Sequence, residues 1–161
     1  MTAGGGPDGP EPTVELDEID RRIIAELQLD GRLSYAQLAP RVGLSQAATR
    51  QRVQRLLERG LMQIVAVTDP VQLGYGVQAL VAISATGDIT ACADALAELD
   101  QVDYVVIVAG RYDILAEVVC RSTSDLLTLV NEGIRTIDGV ASTEILAYLK
   151  LVKQTYSWGV G

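Results

Sequence analysis

Residues 34–60 read SYAQLAPRVGLSQAATRQRVQRLLERG and carry the densest local signals in the chain. Ser34 and Gln37 have the spacing of a capping box, in which the two side chains satisfy each other's backbone N–H groups at a helix start. Leu38 and Val42 then face inward, and Gly43-Leu44 supplies a tight turn. Ser45 is a good N-cap for a further helix. On that helix Thr49, Val53, Leu56 and Leu57 recur on one stripe, while Ala47, Ala48, Gln51, Arg52, Gln54, Arg55 and Glu58 occupy its flanks and far side. Upstream, LDEIDRRIIAELQLDGR (residues 16–32) repeats Ile19, Ile23, Ile24 and Leu27 at helical spacing, with Asp17 to cap it and Gly31 to stop it. Helix, short helix, glycine turn and a helix with an Arg/Gln outer face form a helix-turn-helix.

Charge gives that helix a partner. Residues 31–60 hold six arginines against one acid, a balance of +5, whereas residues 71–161 hold five basic residues against eleven acids, a balance of −6. The whole chain is −8, so its positive charge is concentrated where a polyanion would meet the third helix. A recognition helix enters the major groove by its N-terminal turns; Gln suits adenine, and Arg suits guanine or phosphate. Gln46, Ala47, Arg50 and Gln51 are therefore expected at base edges of double-stranded DNA, with the alanines allowing close approach. Ser34, Arg41, Ser45, Arg52 and Arg55 are expected on phosphates, which orient the module. Arg59 lies where it would meet the helix's last carbonyls.

Several other functions are disfavoured by what the chain lacks. It has no histidine, which removes histidine-based acid-base and triad chemistry, and two cysteines, too few for a zinc site. No catalytic residue, metal or cofactor is expected; Cys92 and Cys120 read as buried thiols of a reducing compartment. No apolar run approaches the roughly 18 residues that span a bilayer. MTAGGGPDGPEPT (1–13) lacks the basic start and apolar stretch of a signal peptide, and reads as a disordered tail of a cytoplasmic protein.

The remaining pattern is α+β. After the helix-turn-helix domain (14–62), LMQIVAVT (61–68) reads as a strand, a candidate wing, within a linker strand segment spanning 63–76. VQALVAISAT (77–86) reads as a buried strand, and Asp88 caps a helix with Ile89, Cys92, Ala93, Leu96 and Leu99 inward. VDYVVIVA and ILAEVVC are strands joined by the turn Gly110–Asp113. Next comes a helix over 125–138, with Leu126, Leu127, Val130, Ile134 and Ile137 aligned, and then a last strand, EILAYLKLV (144–152). The order βαββαβ over 77–153 is the ferredoxin-like sandwich, helices on one sheet face. Strands apolar on both sides imply that the other face is covered, most economically by a second copy. The tail 154–161 carries Tyr156 and Trp158, placed either across a subunit boundary or in solvent. A small-molecule enzyme and a protein-interaction scaffold are the two competing readings.

Taken together, DGRLSYAQLAPRVGLS (30–45), RVQRLLERGLM (52–62), DPVQLGY (69–75), GRYD (110–113) and DGVASTE (138–144) resemble the Lrp/AsnC (leucine-responsive/asparagine, feast/famine) regulators over 16–153. The resemblance implies a winged helix-turn-helix followed by the ferredoxin-like domain, and homodimers that assemble further, up to octamers. It also implies transcriptional control by an amino acid or similar small metabolite. That effector would bind near Gly110, Arg111, Tyr112 and Asp113 and the final strand at Thr143. Four positions depart from the family pattern: Pro40 stands inside the second helix and should kink or shorten it, Thr49 replaces an aliphatic residue, Leu57 replaces the usual acid, and Ile145 stands where a second threonine is common.

Overall fold

The computed structural model describes residues 15–155. They divide into two compact units, one up to Ala66 and one over Val67–Lys153; Tyr156 and Trp158 lie outside the described residues, as does the tail 1–13.

In the first unit, α1 (Glu18–Leu29), α2 (Tyr35–Val42) and α3 (Gln46–Glu58) pack their apolar stripes together. Ile23, Ile24, Leu27, Leu38, Val42, Val53 and Leu56 are buried. Each helix start is closed by the residue expected: the side chain of Asp17 accepts from Asp20 N–H and that of Ser45 from Ala48 N–H, and the Ser34–Gln37 box is complete. Gly43 ends α2 at φ 73°, a left-handed conformation that a side chain would strain. The helix runs two residues past Pro40 before that stop, so the proline removes one backbone bond without ending the helix. Leu57, expected inward, is 36% exposed. Thr49 takes a fully buried place and satisfies its hydroxyl by donating to the Ser45 carbonyl at 2.9 Å.

The expected strand at 61–68, with its wing, does not form. Residues 62–69 make no ladder, and Ile64, Val65 and Val67 are exposed. β-branched composition favours extended backbone, but a strand also needs a neighbour for its N–H and C=O groups, and this stretch has none among the described residues. Asp69 instead turns the chain by accepting from Val71 N–H at 2.9 Å.

The second unit is a four-stranded antiparallel sheet in the order β2-β3-β1-β4. Its strands are β1 (Val77–Ala85), β2 (Val102–Ile107), β3 (Ile114–Cys120) and β4 (Val140–Ala147). α4 (Ile89–Ala97) and α5 (Thr123–Thr128) provide the βαββαβ order. The core holds Ala79, Val81 and Ile83 of β1, alternate residues of β3, and Cys92, Leu96, Leu126, Val130 and Ile134. Both cysteines are buried free thiols whose pKa burial pushes up.

Two expectations shift. The helix over 125–138 is α5 followed by a π turn, Leu129–Gly133, and a 3-10 turn, Ile134–Thr136. The wider π turn keeps Leu126, Val130 and Ile134 in line but puts Leu129 inward and leaves Leu127 59% exposed. β4 begins at Val140 rather than at Glu144, because Gly139 (φ 91°) completes the reversal and the ladder to β1 starts at once. On the sheet face away from the core, cross-strand pairing aligns Tyr104, Glu117, Leu80 and Leu146. This face is mixed rather than uniformly apolar: Tyr104 and Leu146 are about half exposed beside Glu117. Burial, with the nearby Glu117 carboxylate, raises the Tyr148 pKa.

Candidate nucleic-acid interface

The capped α2-turn-α3 segment fixes what the first unit presents. Ser34, Arg41, Ser45, Gln46, Ala47, Arg50, Gln51 and Arg55 are all exposed, and Arg52 is half-buried. Gln46, Ala47, Arg50 and Gln51 fall in the first two turns of α3, the part of a recognition helix that reaches deepest. Burial of Thr49, Val53 and Leu56 sets the helix's rotation, so Ala47 and Gln51 point directly away from the core.

Three of the expected phosphate residues are already engaged within the chain. Arg41 Nη1 lies 2.7 Å from Glu26 Oε2. Arg52 Nη1 donates to Asp17 Oδ2 at 2.5 Å and to Asp20 Oδ1 at 2.9 Å. Arg55 Nη2 reaches both Asp20 oxygens, at 2.8 and 2.7 Å. Asp20 is 2% exposed, a carboxylate enclosed between α1 and α3 with two guanidiniums on it. Hydrogen bonds from Arg52 and then from the Asp20 N–H hold the Asp17 carboxyl below its ordinary range. Hydrogen bonds to Asp17 and then Asp20 raise the Arg52 pKa.

This cluster is the feature that sequence reading missed. Residues 31–60 taken alone look uncompensated, but residues 15–30 hold six acids against two arginines, so 15–60 nets only +1. The usable signal was Asp17 and Asp20, three apart on one helix and opposite in sign to Arg52 and Arg55 on another.

In the second unit, Asp113 closes its turn and ties it to β1. Its N–H donates to the Ile83 carbonyl at 3.0 Å, its carbonyl accepts from Val108 at 2.9 Å, and Oδ2 accepts from Ala85 N–H at 2.8 Å. The Arg111 guanidinium sits 5.5 Å from the Tyr112 ring centroid. Thr143 pairs with Ile83 across the ladder, so the sheet brings it to the same end as this turn. Its hydroxyl accepts from Arg135 Nε at 3.0 Å. Ile145 is partly exposed beside Val81. A concavity of about 450 Å³ lies elsewhere, lined by residues including Tyr75, Asp103, Cys120, Arg121 and Asp125; none of the five expected effector residues borders it.

Among the described residues no cluster of three or more His, Cys, Asp or Glu suits a metal ion, and no helix is long and apolar enough to cross a membrane.

Comparison with known proteins agrees with this geometry in both units. Residues 16–57 match the AsnC-type helix-turn-helix domain, and residues 78–158 match the Lrp/AsnC ligand binding domain. An uncharacterized HTH-type transcriptional regulator of Pyrococcus abyssi is 36% identical, covering 89% of this chain and 92% of the relative. The regulatory protein AsnC of Escherichia coli is 32% identical over 84% of this chain and 91% of its own. The solved structure of E. coli AsnC superposes with a TM-score of 0.81 at 30% identity, covering 89% of this chain and 98% of that one. A transcriptional regulator of Neisseria meningitidis in complex with L-Met gives 0.83 at 25% identity, covering 91% and 97%. With both domains matched in their order along the sequence, this chain belongs to the Lrp/AsnC family of helix-turn-helix transcriptional regulators.

Proposed function

We propose that this chain is a sequence-specific DNA-binding regulator that works as a symmetric dimer and answers to an amino acid or similar small metabolite. The observation that carries the reading is the exposed Gln46, Ala47, Arg50 and Gln51 face on the opening turns of a capped, core-anchored α3. Those four residues read base edges; Ser34, Arg41 and Ser45 bear on phosphates. Arg52 and Arg55 hold α3 at its angle to α1 through Asp17 and Asp20, and so orient the groove-facing residues. The half-exposed Tyr104 and Leu146 on the outer sheet face suit a second copy, and two recognition helices would then enter successive major grooves about 34 Å apart.

For the effector, the Gly110–Asp113 turn and Thr143 remain the proposed site, supported by their shared end of the sheet. The L-Met bound to the Neisseria relative supports an amino acid as the ligand class. Asp113 serves first as a turn lock; an amino acid's ammonium would share its carboxylate with Ala85. Selection of duplexes from a random pool, with and without each amino acid, tests both parts. An imperfect palindrome with half-sites about one helical turn apart is expected, and its enrichment should change with one amino acid or a related few. Retention that ignores salt and returns no motif would refute DNA reading.

A further inference from the structure

Two acids face Arg52, and they differ in what they can release. The Asp20 side chain is 3% exposed and gives both oxygens to Arg55 as well as one to Arg52, so it is an anchor. The Asp17 side chain is 51% exposed, and its two oxygens have separate tasks. Oδ1 caps α1 by accepting from Asp20 N–H at 2.8 Å, and Oδ2 takes the Arg52 guanidinium at 2.5 Å. The cap fixes the carboxylate's direction, and that direction is toward the recognition helix.

Building on the DNA-binding reading above, we infer that Asp17 is an intramolecular stand-in for a DNA phosphate, occupying Arg52 so that this arginine adds nothing to sequence-independent affinity. A phosphate arriving at that flank of α3 meets a guanidinium whose charge is already matched, and a carboxylate that repels it. To take Arg52 the phosphate must displace Asp17, which then recruits a cation from solution. Counterion release at the phosphate is offset by cation uptake at Asp17, and net release from this contact is near zero. Arg52 is thereby kept for complexes in which the groove contacts hold the duplex in register. A basic helix in an acidic chain thus discriminates against arbitrary duplex by carrying its own counter-charge.

Asp17→Asn isolates the charge, because asparagine caps helices about as well as aspartate. The full-length variant should bind arbitrary duplex more tightly at low salt. Its plot of log affinity against log salt should be steeper than wild type by about 0.9, so that roughly threefold more affinity is lost between 50 and 200 mM salt. Discrimination between selected and arbitrary duplex should fall. Adding Arg52→Ala should return the slope to the wild-type value, a readout that a purely structural role for Asp17 would not move. Asp17→Ser, which also keeps a capping oxygen, should reproduce the steeper slope and guards against a folding defect in the first variant. An unchanged slope, weaker binding in both capping variants, or a double variant as steep as Asp17→Asn would overturn the inference while leaving the DNA-binding reading intact. Salt-independent binding by the wild-type chain would remove both.

Discussion

Asp20 is the residue on which α1 and α3 are joined, because one enclosed carboxylate holds two guanidiniums. Removing one member of a fully buried pair costs about 3–5 kcal/mol. Here Arg52 and Arg55 keep 26% and 44% of their side-chain exposure, so water relieves part of that penalty. Asp20→Asn is expected to cost about 2 kcal/mol, read as a lowered urea midpoint with faster amide exchange in α1 and α3. Asp17 gives the pH dependence its sign. Its folded pKa lies below the ordinary 3.8, so its stabilisation is fully present above 3.8 and is lost as pH falls through the lower folded value. Thermal midpoints measured downward from pH 6 should decline below about pH 4, and Asp17→Asn should make that decline shallower. At this scale the caps were legible in sequence, since Asp17, Ser34 and Ser45 act within three residues of themselves. Asp20 was not: its burial depends on α3 arriving from more than thirty positions away.

Helices and strands repeat the contrast between local and distant causes. β3 runs over Ile114–Cys120, the stretch read as a strand, because every residue there pairs with β1 and residues 114–118 pair with β2 as well. The stretch 61–68 has the same β-branched composition and no ladder, since pairing is not encoded in the segment that needs it. The helix after Ser122 was misphased for a different reason. A stripe drawn through Leu126, Val130, Ile134 and Ile137 takes in Leu127 and passes over Leu129, whereas Leu129 is buried and Leu127 exposed. Leu127→Ala is therefore expected to change stability by less than about 0.5 kcal/mol, and Leu129→Ala to cost about 2–4 kcal/mol. Thermal or denaturant unfolding of the two variants compares them directly; equal effects would contradict the observed phase.

For the molecule as a whole, charge is unevenly divided between the two units: residues 15–66 net +1 and residues 67–153 net −7. The unit up to Ala66 contains the arginine-bearing helices, and the unit over Val67–Lys153 contains the acidic sheet and its helices. On the proposed DNA-binding reading, the acidic unit would repel a duplex and leave the α3 face for docking, where internal pairing of Arg41, Arg52 and Arg55 limits the charge. The element order and the α+β architecture were readable from periodicity and turn residues alone. The outer sheet face was only half readable, because alternation shows which side chains share a face but not that Glu117 would sit among Tyr104, Leu80 and Leu146. The most direct measurement is parallel duplex selection with the wild-type chain and with Gln51→Ala. Wild type should enrich an imperfect palindrome, and the variant should enrich one that differs at a single symmetry-related base pair in each half-site. Identical motifs from the two proteins, or no motif from either, would contradict base reading by the exposed face of α3.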